Sequence, residues 1–157
     1  MVHETISAEI IDYRPEHHEI FRQLNLEWLE YYNVLEEADT KVLDDPKGTI
    51  LDRGGVIYLA EVDGKIVGSA ALMKEDNAHY ELAKMAVTSE YRGRGISKLL
   101  IEKCLAAARK MNAKHLCLFS NHQLQTAIAL YEKYGFQHVA LIDSPFETAD
   151  IKMELIL

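Results

Sequence analysis

The sequence predicts an α/β domain of the α+β kind: a central mixed, largely antiparallel sheet flanked by helices, in the order βα(α)βββαβαββ. Three observations carry this reading. Apolar residues recur at every second position in some runs and at every third or fourth in others, so strands and helices are interleaved along the chain. Asp63-Gly64 separates two apolar runs, the strongest short signal for an antiparallel hairpin. After position 96 helices and strands alternate, so the mainly antiparallel character belongs to the front half.

Each element follows in order. "AEIIDYR" (8–14) alternates as a first strand, and Pro15 suits the opening of a helix. In "EHHEIFRQLNLEWLEYY" the residues Ile20, Leu24, Trp28 and Tyr31 or Tyr32 recur at helical spacing, an amphipathic helix. The stretch from Val34 to Gly55 reads as short helical turns broken at Pro46 and Gly48. "VIYLAEV" (56–62), "KIVGSAALM" (65–73) and "HYELAKMAV" (79–87) form three central strands. A long helix is expected from Ile96 to Met111, a strand over 115–119 and a helix from Leu124 to Tyr134 capped by Gly135. In that last helix Ala127, Leu130 and Tyr134 are the expected inward residues. "QHVALI" and "DIKMELIL" close as strands, with Ile151, Met153, Leu155 and Leu157 on one face by the period of two.

With 157 residues the chain is expected to be one domain spanning 1–157, large enough to bury a core. An apolar fraction of 48% and a charged fraction of 27% are ordinary for a soluble globular protein. No apolar run reaches the roughly 18 residues of a membrane span, and "MVHETISAEI" lacks the pattern of a secretory signal. The expectation is a cytoplasmic protein. Cys104 and Cys117 have no C-x-x-C partner, which argues against zinc or a redox pair and for free buried thiols. No metal is expected. A net charge of −8 argues against a nucleic-acid face and is compatible with cationic substrates.

The chemistry-bearing stretch is "SEYRGRGIS", between a strand and a helix. The start of a helix leaves backbone N–H groups unpaired, and the helix dipole is positive there. Gly93 and Gly95 allow close approach and unusual backbone angles, while Arg92 and Arg94 add charge. These are the requirements of a pyrophosphate cradle. A Walker loop fails, because Ile96 and Ser97 stand where Lys and Ser or Thr belong. A Rossmann fingerprint fails at Lys98, and no acidic residue follows near His115. A plain surface turn with solvated arginines remains the alternative on pattern alone.

Context extends the pattern. "LAKMAV", then "TSEYRGRGIS", an amphipathic helix, and about 30 residues later "AIALYEKYGF" together closely resemble the GNAT superfamily of N-acetyltransferases, from about Ile10 to the C-terminus. The family's loop has the form Q/R-x-x-G-x-G/A, matched by Arg92 and Gly95, with Ser97 in place of the usual Gly or Ala. The resemblance implies acetyl-CoA as cofactor, its pyrophosphate cradled by Arg92, Gly93, Arg94, Gly95, Ile96, Ser97 and Lys98. It also implies that the strand ending at Val87 splays from its neighbour, so that Met85, Ala86 and Val87 pair with the pantetheine arm as an added strand. A backbone N–H near Met85 would stabilise an oxyanion. Tyr131 occupies the place of a tyrosine that protonates the departing thiolate; a packed tyrosine with a structural hydrogen bond is the other reading.

Glu81, earlier on the same strand, is the candidate base for an ammonium group whose pKa is about 10. A solvated glutamate or a salt bridge with Lys84 is the alternative, and His79 and His122 are weaker rivals. Many relatives carry a cofactor-contacting asparagine where this chain has Leu124; Asn121 either takes over that contact or serves as a cap or turn residue. In such folds the first helices and the segment before the last strand wall the acceptor pocket. Here they offer Trp28, Tyr31, Tyr32 and Phe146, with Glu30, Glu36, Glu37 and Glu147, a set suited to an amine.

Neither cysteine is placed as a nucleophile, which favours direct attack in a ternary complex over a covalent acyl-enzyme. The expected function is acetyl transfer to a primary amine of a small molecule. The alternatives are a protein or peptide acceptor, or a non-catalytic acyl-CoA-binding module. A homodimer through exposed C-terminal edge strands is also compatible with the sequence.

Overall fold

A computed structural model describes residues 7–157. Its element order is β1 (Glu9–Asp12), α1 (His18–Tyr31), α2 (Glu37–Asp44), β2 (Val56–Val62), β3 (Lys65–Lys74), β4 (His79–Val87), α3 (Ile96–Lys110), β5 (His115–Ser120), α4 (Gln125–Lys133), β6 (Gln137–Val139) and β7 (Ile151–Ile156). The predicted order is reproduced. Pro15 opens a short 3-10 turn ahead of α1, and a π-turn over Lys47–Leu51 follows α2.

The seven strands of the described residues join one sheet in the order β1-β2-β3-β4-β5-β7-β6. Only β4 and β5 run parallel, because α3 must cross over between them; every other pair is antiparallel. Helix α3 covers one face, burying Leu100, Ile101 and Cys104 against Leu72, Leu82 and Leu116. Helices α1 and α2 cover the other, where Phe21, Leu29 and Leu43 meet Ile57, Leu59 and Ala71.

Three expectations shift. The buried stripe of α1 is Phe21, Leu24, Asn25 and Leu29, not the stripe through Ile20 and Tyr31. At 100° per residue a one-position offset turns Tyr31 outward, where it is 79% exposed. In α4 the buried residues are Ile128 and Tyr131, while Ala127, Leu130 and Tyr134 are only partly covered. The terminal strand β7 lies between β5 and β6, so the C-terminal edge is the three-residue β6 alone.

Two irregularities shape the site. β4 and β5 pair only from His79↔His115 to Glu81↔Cys117, and beyond Glu81 no pairing to β5 continues. The expected splay is present. Opposite, Ser69 pairs with Ala86 and Ala71 with Ala83, so Lys84 and Met85 together face Ala70: a β-bulge, with Lys84 at φ 54°.

Candidate active site

The splay opens a groove of about 960 Å³ between β4, the glycine loop with the start of α3, and α4. Met85, Ala86 and Val87 line one side; Arg92, Gly93, Arg94, Gly95, Ile96, Ser97 and Lys98 line its end. The Ile96 side chain is buried in the core, so that position offers its backbone to the groove. Gly95 caps α3 in the left-handed conformation at φ 84°, and no side chain caps the helix start. The first-turn N–H groups therefore remain available to an anion. Arg92, Arg94, Lys98 and Lys133 border the groove and, among the described residues, no carboxylate does, although the chain as a whole is acidic. This local positive character suits a phosphorylated ligand. Lys133 was not anticipated from the sequence; it lies one turn beyond Ala129 on the groove side of α4.

The loop is also braced. Arg92 donates from Nε to the Val87 carbonyl at 2.9 Å and pairs with Glu27 at 3.1 Å. Glu27 further accepts from Thr88 Oγ1 at 2.7 Å and Ser89 N at 3.1 Å. Nothing local in the sequence marks Glu27, since its partners lie some 60 residues away.

A second cavity, about 110 Å³, lies beyond the splay. Glu81, Lys84, Asp39, Phe119, Asn121, Phe146 and Thr148 are in its walls. Trp28, Met85 and Tyr131 border both cavities, so the two meet at these three side chains. The Tyr131 residue is 8% exposed, and its hydroxyl makes no hydrogen bond among the described residues. Burial raises its pKa, so it stays a proton donor at neutral pH. The structural-bond reading of Tyr131 fails here. Its position is fixed instead by the helix end: Gly135 N donates to Glu132 O at 3.0 Å and Phe136 N to Tyr131 O at 3.1 Å, with Gly135 at φ 97°. That is a Schellman termination, as the cap predicted.

Glu81 sits on an interior strand between Met73 and Cys117, not at a solvated edge. Desolvation pushes its pKa up to about 7, Lys84 pulling it down and Glu75 and Asp39 pushing it up. A carboxylate there is half deprotonated near neutrality, which suits a general base. The alternative salt bridge with Lys84 does not form. Lys84 Nζ meets Asp39 Oδ1 at 2.9 Å instead, both side chains about 95% buried by their exposures of 4% and 5%.

The remaining candidates separate. Tyr31 borders neither cavity and stacks edge-on against Tyr32, 4.9 Å between centroids. Tyr32 lines the long groove, and Phe146 the small cavity. Glu30, Glu36, Glu37 and Glu147 border neither; the charged groups in the wall of the small cavity are Glu81, Asp39 and Lys84. Asn121 is outside the groove: it donates to Thr148 O at 2.8 Å and accepts from Gln123 N at 3.0 Å, a turn residue tying down the loop before β7. His79 pairs with Asp76 and stacks on His115, and His122 pairs with Asp150; none of these histidines borders either of the two cavities. Cys104 is buried and Cys117 half-buried, both free, their pKa values raised by desolvation.

The site is thus a split in an α/β sheet with a positively bordered groove at a helix start, which meets a small cavity holding Glu81 and the Asp39–Lys84 pair. Comparison with known proteins names the class. A family model described as an acetyltransferase (GNAT) domain matches residues 53–138, and the chain belongs to the GNAT family of N-acetyltransferases. An uncharacterized N-acetyltransferase of Mycobacterium tuberculosis is 32% identical over 123 residues, covering 78% of this chain and 69% of that protein. N-acetyltransferase 8 of Rattus norvegicus is 34% identical over 103 residues, 62% of this chain and 46% of that one. N-acetylaspartate synthetase of Xenopus tropicalis is 37% identical over 92 residues, 57% of this chain and 34% of that one. The chain thus spans between a third and a half of the length of these last two relatives.

Among solved structures, a GNAT-family acetyltransferase of Staphylococcus aureus Mu50 superposes with a TM-score of 0.87 at 23% identity, covering 94% of this chain and 98% of that one. The PaiA N-acetyltransferase of Thermoplasma acidophilum, solved in complex with coenzyme A, gives 0.77 at 19% identity, covering 97% and 100%. At these identities the likeness speaks for the fold.

Proposed function

We propose that this protein transfers an acetyl group from acetyl-CoA to a primary amine of a small molecule by direct attack, with both substrates bound together. One observation carries the reading: the long groove and the small cavity meet at Met85, Trp28 and Tyr131, and the Tyr131 hydroxyl, on a residue only 8% exposed, makes no hydrogen bond among the described residues and is open to a ligand there.

The groove fits coenzyme A. Its uncapped helix start and left-handed Gly95 suit a pyrophosphate, its basic border suits the further phosphate, and the unpaired edge of β4 suits an amide-bearing arm. When bound, acetyl-CoA supplies an acetyl group already activated as a thioester. Glu81 takes the proton of the incoming ammonium, directly or through one water. A backbone N–H at the Met85 bulge donates to the carbonyl oxygen as negative charge grows on it. Tyr131 gives its proton to the departing sulfur. An ammonium loses two protons on becoming an amide: Glu81 takes the first, and the second, shed by the nitrogen as the adduct collapses, replaces the proton that Tyr131 gave to the sulfur.

The small cavity limits the acceptor to a narrow end bearing the amine, walled by Phe119, Phe146 and Trp28. Thiol release from acetyl-CoA, followed against a panel of small amines, amino acids, polyamines and N-terminal peptides, tests the reading. Turnover with a small amine that collapses in Tyr131→Phe is the expected result. Turnover with peptides alone would move the acceptor class to proteins, and coenzyme A binding without turnover on any amine would favour the binding-module reading.

A further inference from the structure

We propose, on the basis of the reading above, that Asp39 is a positioning residue for the transfer step. Through Lys84 it fixes the β4 bulge so that the backbone at Met85 presents its N–H to the acyl carbonyl, and through Glu36 it ties that geometry to closure of the acceptor cavity.

Lys84 is held from two sides. Its ammonium meets Asp39 Oδ1 at 2.9 Å in a pair with 4% and 5% exposed side chains. Its carbonyl accepts from Ser69 Oγ at 2.7 Å, and Ser69 in turn is held by Asn25 Nδ2 at 3.2 Å. Asn25, fully buried on α1, also donates to Phe21 O and accepts from Trp28 Nε1. The backbone of Lys84 at φ 54° is a conformation that a residue with a side chain adopts at a cost, and it persists only where its surroundings over-determine it. Burying a lysine against one carboxylate is an expensive way to fill space, since apolar side chains of similar volume do so without the desolvation cost. What the pair adds is a fixed orientation of a bulge whose next residue, Met85, borders both cavities.

The other oxygen of Asp39 accepts from Glu36 N at 3.1 Å. The Glu36 carboxylate reaches across to accept from Glu147 N at 2.7 Å, Thr148 N at 3.0 Å and the Thr148 hydroxyl. Burial alone would raise its pKa, but these bonds outweigh that and hold it below the usual value. The loop so latched carries Phe146, whose ring lies 5.6 Å from Lys84 Nζ and walls the acceptor cavity. Loop, Glu36, Asp39, Lys84 and the bulge therefore form one connected chain.

The test compares binding of coenzyme A with that of acetyl-dethia-coenzyme A, a ketone analogue in which a methylene replaces the sulfur so that the carbonyl stays where the thioester has it. Wild type should prefer the ketone. Asp39→Asn should bind coenzyme A within about twofold of wild type, lose the ketone preference at least about fivefold, and lower kcat about ten- to a hundredfold with KM for acetyl-CoA unchanged. Because Asp39→Asn strands a buried ammonium, the apolar pair Asp39→Leu with Lys84→Met is measured beside it, and should fold yet also lack the ketone preference. A folded variant of either kind that keeps both the preference and kcat overturns the proposal, as does a wild type that shows no preference. Absence of turnover with any amine would count against the proposed function alone, since the binding comparison does not depend on it.

Discussion

Glu27 on α1 and Arg92 in the glycine loop are joined by a 3.1 Å ion pair, and the same carboxylate also holds Thr88 and Ser89 at the end of β4. One side chain on α1 thus organises the loop that borders the long groove. Both partners are partly exposed, so the pair contributes order to the loop more than stability to the fold. Glu27→Gln should raise KM for acetyl-CoA about three- to tenfold, leave kcat within about twofold and leave the thermal midpoint nearly unchanged, since surface substitutions usually stay within about 0.5 kcal/mol. Steady-state kinetics beside a melting curve checks all three.

Tyr131→Phe should lower kcat about a hundredfold, the usual scale of a positioned acid. The hydroxyl has no protein partner to orphan, so unfolding free energy should change by less than about 1 kcal/mol. Coenzyme A affinity should hold. A loss of binding equal to the loss of rate would mean the ring packs the groove and does no acid chemistry.

Glu81 makes a pH prediction of definite sign. Its folded pKa of about 7 lies above the ordinary value of 4.5, so between these limits the folded state binds more protons than the unfolded one. Its contribution to stability is therefore greatest at low pH and falls as pH rises through about 7. Activity runs the other way, because a base must be deprotonated: kcat should rise with pH along a limb centred near 7. Glu81→Gln should remove that limb, lower kcat by about two orders of magnitude and stabilise the fold at pH 8 by roughly 1–3 kcal/mol. Urea unfolding at two pH values and a kcat–pH profile check both halves.

Gly135→Ala tests the helix end that sets Tyr131. At φ 97° a side chain is strained, and a Cβ would stand 3.3 Å from Leu155 Cδ1. The expected loss is about 1–2 kcal/mol in urea unfolding, with kcat reduced further than stability alone explains as Tyr131 shifts.

Much of this architecture is legible in the sequence where the signal is local. The hairpin at Asp63-Gly64, the Gly135 cap and the glycine loop each announce their geometry through a residue that few backbones tolerate otherwise. The phase of α1 was not legible, because Ile20 and Phe21 are both apolar and only the sheet decides which faces it. Buried polar residues escaped for a related reason. Asn25, Ser69 and Asp39 look like surface residues until partners 44 and 45 positions away are brought to them. Lys84 did carry a signal, a charge inside the apolar run "LAKMAV", which reads as a solvated face until the strand is found to be interior. The acidic residues of the first helices misled in the opposite sense: charge near a pocket in sequence did not place charge in its wall.

The central claim is that a small primary amine leaves this site acetylated. Incubating the protein with acetyl-CoA carrying a labelled acetyl group, and weighing the acceptor by mass spectrometry, tests it most directly. The account predicts one labelled acetyl group on the amine nitrogen of a small acceptor, formed by wild type and nearly lost in Glu81→Gln. Labelled acetyl-CoA bound in the groove but recovered intact in the presence of every amine offered would contradict it.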